Sequence, residues 1–295
     1  MEYVYLGCVK TPVSRFCLGC VSFGGHDYGR VEEKTCIDIV HKAIEKGVNF
    51  FDTADIYGLG RSEEILGKAL SSHKKSENIV VATKFGVVWN GRTTAKDINP
   101  ARIEKALDDS LRRLRRDRIE LYMIHWYDNA SKLEDVMIVL EKLKSKGKIA
   151  CIGCSNFDQS LLAELSAYGR IDAIQLPYNL IEKQNEDMLK QAYNKNMLTM
   201  SYNVLLQGLL TGKYNENSHF SGTDLRQRSK FFNSQEISGN LNIADQLKER
   251  AKKLKCSQTE LAIRYVLEKP FISCVTVGAK NTTQLEENVR ACELF

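Results

Sequence analysis

The run Cys36-Ile37-Asp38-Ile39-Val40-His41-Lys42-Ala43-Ile44-Glu45-Lys46-Gly47-Val48-Asn49-Phe50-Phe51-Asp52 changes its hydrophobic period part-way along. Cys36, Ile37, Ile39, Val40, Ala43 and Ile44 repeat at the spacing of one helix face, and the spacing predicts a helix over 32–46. Gly47 stands where a left-handed residue ends a helix. Residues 48–52 then read as a strand, closed by the carboxylate of Asp52.

The same alternation continues in both directions. Strands are predicted over 18–22, 79–83, 120–124, 148–154, 173–176, 198–202 and 272–277. Helices are predicted over 62–70, 100–116, 133–146, 159–167, 186–194, 243–253, 257–268 and 283–294. Pro100 suits a first helical position. Eight strands, each followed by helix and several apolar on both faces, imply an α/β fold with an all-parallel sheet and right-handed crossovers. Closure into a (β/α)8 TIM barrel is the economical arrangement for one domain spanning 1–295. Residues 212–239 form the one long irregular stretch, expected to be a lid or binding loop.

With 295 residues, 43% apolar and 27% charged, the chain can bury a sizeable core, and its composition does not indicate disorder. A net charge of +5 decides little between an anionic ligand and a nucleic acid. The basic run from Arg112 to Arg118 reads as the solvated end of a helix, so no nucleic-acid partner is expected. Met1-Glu2-Tyr3-Val4-Tyr5 lacks a basic segment before an apolar one, and no apolar window is long enough to span a membrane. A cytoplasmic protein is expected. An odd count of nine cysteines spread through apolar runs reads as reduced thiols. The pairs Cys17/Cys20 and Cys151/Cys154 have zinc-like spacing, but both lie in strand-like runs and read as buried apolar residues rather than a metal site.

In a parallel barrel the chemistry sits at the C-terminal ends of the strands. Those ends carry Asp52, with Tyr57 in the loop behind it, then Lys84, His125, Ser155-Asn156 and Gln175. Each alone has a structural explanation, such as a cap, a half-buried ring or a solvated cation. Four ionisable groups meeting at one mouth from neighbouring strands point to catalysis.

The motifs around these residues resemble those of the aldo-keto reductases. They are Phe51-Asp52-Thr53-Ala54-Asp55-Ile56-Tyr57-Gly58, Ala82-Thr83-Lys84-Phe85-Gly86, Ile124-His125-Trp126, Gly153-Cys154-Ser155-Asn156-Phe157, Gln175-Leu176-Pro177-Tyr178-Asn179 and Gln207-Gly208-Leu209-Leu210-Thr211-Gly212-Lys213-Tyr214. The likeness runs in order along nearly the whole chain. It implies an oxidoreductase that moves a hydride between a nicotinamide and a carbonyl or alcohol carbon of an aldehyde, ketone or sugar, with Asp52, Tyr57, Lys84 and His125 as the catalytic tetrad. The residue types suit that chemistry. Charge builds on the carbonyl oxygen, and an acid must deliver a proton there. A phenol is a weak acid near neutrality, and a neighbouring ammonium makes its proton easier to lose. Asp52 would hold Lys84, and His125 would orient the carbonyl.

No Gly-x-Gly-x-x-Gly follows any strand, so a Rossmann site is unsupported. The resemblance implies NADP(H) laid across the mouth instead. Ser155, Asn156 and Gln175 would hold its carboxamide, and Tyr202 would stack on its ring. Asn203, Leu205, Gln207 and Gly208 would lie along the pyrophosphate, with Lys213 and Arg226 adding charge. Gly278, Lys280, Gln284, Glu287 and Asn288 would form the 2′-phosphate and adenine pocket at a helix N-terminus.

Asn203-Val204-Leu205 departs from the family's usual Ser-Pro-Leu, Tyr127 follows His125-Trp126, and Cys20 stands where Thr or Met is common. Few residues follow the last helix, which implies an open pocket or one completed by a partner subunit. Tyr28, Trp89 and Trp126 are placed near the pocket by loop position. Three other readings compete with a reductase: a sugar dehydrogenase working in the oxidative direction, a cofactor-sensing regulatory subunit on the same fold, and a barrel lyase using Lys84 as a Schiff base. The substrate, the direction and the oligomeric state are not set by the sequence.

Overall fold

Eight parallel strands close into a barrel: β1 (Phe16–Gly19), β2 (Phe50–Asp52), β3 (Val80–Phe85), β4 (Ile119–Ile124), β5 (Ile149–Ser155), β6 (Ala173–Pro177), β7 (Leu198–Tyr202) and β8 (Cys274–Val277). This is a computed structural model, and it describes residues 1–25, 29–74, 78–220, 224–233 and 235–293. The ring is sealed where Val275 of β8 pairs with Phe16 of β1 and Val277 pairs with Leu18. The helices are α1 (Glu33–Glu45), α2 (Arg61–Ser71), α3 (Pro100–Leu114), α4 (Leu133–Ser145), α5 (Gln159–Tyr168), α6 (Glu186–Asn194), α7 (Ile237–Leu254), α8 (Gln258–Leu267) and α9 (Thr282–Arg290).

The opening stretch folds as its period dictates. Cys36, Ile39, Val40, Ala43 and Ile44 form the buried face of α1, and Gly47 adopts the left-handed φ of 84° that turns the chain into β2. Pro100 opens α3, with the Asn99 side chain capping the Ala101 amide at 3.0 Å.

Strand alternation places the site. Cys17, Phe50, Ala82, Met123, Cys151, Ala173, Met200 and Cys274 belong to one apolar cluster, which also takes in Leu6 and Val13 from the N-terminal segment. Two residues further on, where side chains return to the same face, stand Asp52, Lys84, His125, Gly153, Gln175, Tyr202 and Thr276. One inward row is therefore apolar at the foot of the barrel and polar at its mouth. The short hairpin of Tyr3–Val4 with Val13–Ser14 lies at the foot.

Several expectations need correction. The first strand runs over Phe16–Gly19 rather than 18–22, and Val21–Gly24 is a 3-10 turn. A run apolar on both faces does not mark its own ends. Helix α7 begins at Ile237 rather than 243, inside the stretch read as irregular; Asn240 there is turned inward to the Phe231 carbonyl at 3.1 Å. The last helix ends at Arg290, and Ala291–Glu293 is 3-10. The cysteines are not all thiols: Cys8 and Cys151 form a disulfide with Cα atoms 5.6 Å apart, and seven thiols remain among the described residues. Of the two zinc-like pairs, Cys17, Cys20 and Cys154 are buried thiols. Arg112, Arg113 and Arg116 are engaged in ion pairs with Asp109, Glu63 and Glu120. No helix among the described residues is long and apolar enough to cross a membrane.

The loop carrying Tyr57 is fixed by a close backbone crossing. Gly58 has φ 60°, and a Cβ there would lie 2.3 Å from the Gly24 carbonyl oxygen. Gly58→Ala should therefore destabilise the fold by about 1–3 kcal/mol and displace the adjoining phenol. A thermal melt matching the parent's would show that the two segments separate freely.

Candidate active site

Lys84 projects into the barrel from the C-terminal end of β3 and is fully buried. Its ammonium donates to Asp52 Oδ1 at 2.7 Å, Asp52 Oδ2 at 2.8 Å and the Thr53 carbonyl at 2.8 Å. Burial pushes its pKa down, but the Asp52 carboxylate and the Tyr57 phenol more than offset this, and the result lies above the ordinary lysine value. A charged amine bound to three oxygens is not the neutral nucleophile a Schiff base requires.

Tyr57 lies over this cation, with Lys84 Nζ 5.3 Å from its ring centre. His125 meets the same ring edge-on, with centroids 5.8 Å apart. Burial, and then the Lys84 charge, holds the His125 pKa well below its ordinary value, so the imidazole is neutral near pH 7. All four expected ionisable groups thus meet at one end of the barrel.

The neighbouring polar residues form a connected chain. Gln175 Nε2 donates to Asp52 Oδ1 at 3.1 Å and to Thr276 Oγ1 at 3.4 Å. Ser155 Oγ donates to the Gln175 carbonyl at 3.0 Å. Asn156, left-handed at φ 60°, donates to the His125 carbonyl and to Ser155 Oγ, each at 3.1 Å. The Tyr202 hydroxyl donates to Asn156 Oδ1 at 2.7 Å. Gln175 and Asn156 are therefore tied directly to Asp52 and His125, and Ser155 and Tyr202 through them.

Beyond Tyr202 the backbone takes unusual conformations: Asn203, Leu206, Gln207 and Gly208 all have positive φ. The Asn203 side chain is spent within the protein. Its amide donates to Glu182 Oε2 at 2.7 Å and its oxygen accepts from the Gln207 amide at 3.1 Å. Val204 is buried and Leu205 half-buried. Asn179 joins the same carboxylate at 3.1 Å. Glu182 was missed in the sequence because a polar residue in a loop carries no periodic signal.

A second group of cations gathers at the β8 end. Loss of water, then Arg226 and then Lys213, lowers the Lys280 pKa, with Asp224 opposing. Loss of water and Arg226 do the same to Lys213. Arg226 is buried, bonds Asp224 and the Tyr214 hydroxyl, and has its guanidinium carbon 4.5 Å from the Phe220 ring centre. Asn281 caps α9 by accepting from the Gln284 amide at 2.8 Å, and Gln284 in turn accepts from the Lys280 amide at 2.9 Å. Asn288 is buried and donates to the Gly278 carbonyl at 3.2 Å, while Glu287 is half-buried.

Trp126, next to His125, is exposed with Lys96 Nζ 4.6 Å from its ring centre, and Trp89 is exposed on the short hairpin of Val87–Trp89 with Thr94–Lys96. Tyr28 lies outside the described residues.

Asp55, which the sequence reading left unassigned, is half-buried with its Oδ1 shielded from solvent. Oδ1 has no hydrogen-bond partner, and burial followed by the Glu63 charge raises its pKa to about 8. Between 3.8 and about 8 the folded chain keeps a proton that the unfolded chain has released. Its contribution therefore lowers stability as pH rises through that window. Asp55→Asn should remove that loss, so the variant gains on the parent from about pH 4 to about pH 8 in thermal melts. Parallel curves would mean that Asp55 is ionised throughout.

Residues 15–294 match the family described as Aldo/keto reductase family. The aldo-keto reductase YhdN of Bacillus subtilis is 36% identical over 97% of this chain and 87% of its own length. The NADH-specific methylglyoxal reductase of Escherichia coli is 30% identical over 100% and 94%. Among solved structures, the glycerol dehydrogenase AKR11B4 from Gluconobacter oxydans superposes with a TM-score of 0.90 at 33% identity, covering 98% of this chain and 90% of its own.

Proposed function

Because the chain belongs to the aldo/keto reductase family, a family of oxidoreductases acting on carbonyl and alcohol groups, we propose that it is an NADPH-dependent reductase of small aldehydes, ketones or sugars in the cytoplasm, with Tyr57 as the general acid. The observation that carries this reading is the buried Lys84 ammonium held between Asp52 and the Tyr57 ring.

When bound, the nicotinamide cofactor supplies the hydride. The residues present fit such a group, since the Arg226 charge lies close enough to Lys213 and Lys280 to help lower the pKa of both, a cluster of cations suited to phosphates. Ser155, Asn156 and Gln175 would hold the carboxamide and Tyr202 the ring. The backbone at Asn203, Leu205, Gln207 and Gly208 would line the pyrophosphate. Lys280 and Gln284, beside Gly278 and the α9 N-terminus, would take the 2′-phosphate, with Glu287 toward the adenine. Asn288 acts from behind by holding Gly278.

The proton is handled by the chain alone. Lys84, fixed in its charged state, favours loss of the Tyr57 proton to the carbonyl oxygen. Neutral His125 donates to the same oxygen and sets its orientation. The reverse process, with Tyr57 as base, is a second reading favoured by the likeness to a glycerol dehydrogenase. The NADH-specific relative makes the cofactor preference a point to measure.

Tyr57→Phe should lower turnover about a hundredfold or more while leaving NADPH titration by fluorescence nearly unchanged; normal turnover would sink the mechanism. Lys280→Ala should weaken NADPH about tenfold or more and NADH little. Equal weakening of both would reject the phosphate pocket.

A further inference from the structure

The disulfide lies at the opposite end of the barrel from the active site. Cys8 sits in a turn of the N-terminal segment and is half-buried, whereas Cys151 is fully buried on β5. Both sulfurs and an Asp172 carboxylate oxygen lie within 4.8 Å of one another. Asp172 is already engaged: it accepts from the Ile152 amide at 3.0 Å, from Lys144 at 3.3 Å and pairs with Arg170 at 2.9 Å. Two cations on that carboxylate disfavour a metal ion there and leave the sulfur pair as the reactive feature.

The other thiols are poor competitors. Cys17, Cys20, Cys36, Cys154, Cys274 and Cys292 are buried, Cys256 is half-buried, and burial raises the pKa of all seven. A thiol reacts as its thiolate and only where a reagent can reach it. Cys8 is half-buried and Cys151 fully buried, so Cys8 is the side from which a reagent would reach the disulfide.

We propose that Cys8 and Cys151 are a reversible two-electron oxidation site, attacked at Cys8 by small-molecule thiols. A thiolate RS⁻ bonds to Cys8 Sγ, the Cys8–Cys151 bond breaks, and its electron pair leaves on Cys151 Sγ, which takes up the proton the reagent released. A second RSH attacks the outer sulfur of the mixed disulfide, releasing RSSR and the Cys8 thiol. Two RSH are oxidised and one protein disulfide is reduced. A small disulfide RSSR, as two-electron acceptor, reverses the sequence.

The segment does not depend on the bond for its place. The Tyr3 hydroxyl donates to the Gly47 carbonyl at 2.8 Å, and Arg15 pairs with Glu2 at 2.7 Å. The Ser14 amide donates to Asn49 Oδ1 at 2.7 Å, and Leu6 and Val13 are buried. Reduction thus removes a covalent tie across 143 positions without dismantling its surroundings. The tie grips β5, whose other end carries Ser155, so the consequence falls on stability and not on the reacting groups.

The test equilibrates the full chain with reduced or oxidised glutathione, alkylates free thiols in the native state, and reads modified positions by mass spectrometry alongside thermal melts. The expected result is alkylation at Cys8 after reduction and protection after oxidation. Denaturation before alkylation should then reveal Cys151 linked or free in step. The oxidised form should melt about 5 °C or more above the reduced one. Cys8→Ser, and separately Cys151→Ala, should melt the same in both buffers while keeping carbonyl reduction unchanged. Alkylation of Cys8 in both buffers, persistence of the link in reduced glutathione, or pairing through Cys256 would overturn the proposal.

Discussion

A lysine ammonium taken wholly out of water is tolerable only if its charge is answered at close range. In this barrel the answer is Asp52, with both carboxylate oxygens and the Thr53 carbonyl on Lys84 Nζ. Removing either partner would leave an uncompensated buried charge, a loss of about 3–5 kcal/mol. Much of the surrounding order follows from this. Gln175 is drawn to Asp52, Ser155 to Gln175, Asn156 to Ser155 and Tyr202 to Asn156. A single ion pair thereby organises residues from five strands.

The fold was legible because strand and helix periods differ and because Gly47 separates them cleanly. The convergence of Asp52, Lys84 and His125 was legible for a related reason: strand alternation forces whatever lies two residues beyond Phe50, Ala82 and Met123 onto the barrel's inner face, whereas Tyr57 lies in the loop behind. Resemblance supplied the roles, and geometry supplies the contacts. The departure at Asn203 was visible in the sequence, but its meaning was not. Only in three dimensions does its side chain meet Glu182, a partner 21 positions away.

Other features were hidden for physical reasons. Cys8 and Cys151 lie in unrelated elements, and no local pattern announces a contact across such a separation. The first strand slipped because its neighbours are apolar on every side. Asp224 and Arg226 read as loop residues, yet one turn of backbone buries the guanidinium against Phe220. For the disulfide the deciding partner comes from elsewhere in the chain, where periodicity has no reach.

The inward row described above also makes the barrel a blind well. Phe50, Ala82, Met123, Met200 and Cys274 are all fully shielded, an apolar floor beneath the ion pair. On the proposed reading of Tyr57 as the acid, reactant, product and its replacement proton would all pass through the mouth. A ligand filling the mouth would then also stand between the phenol and bulk solvent.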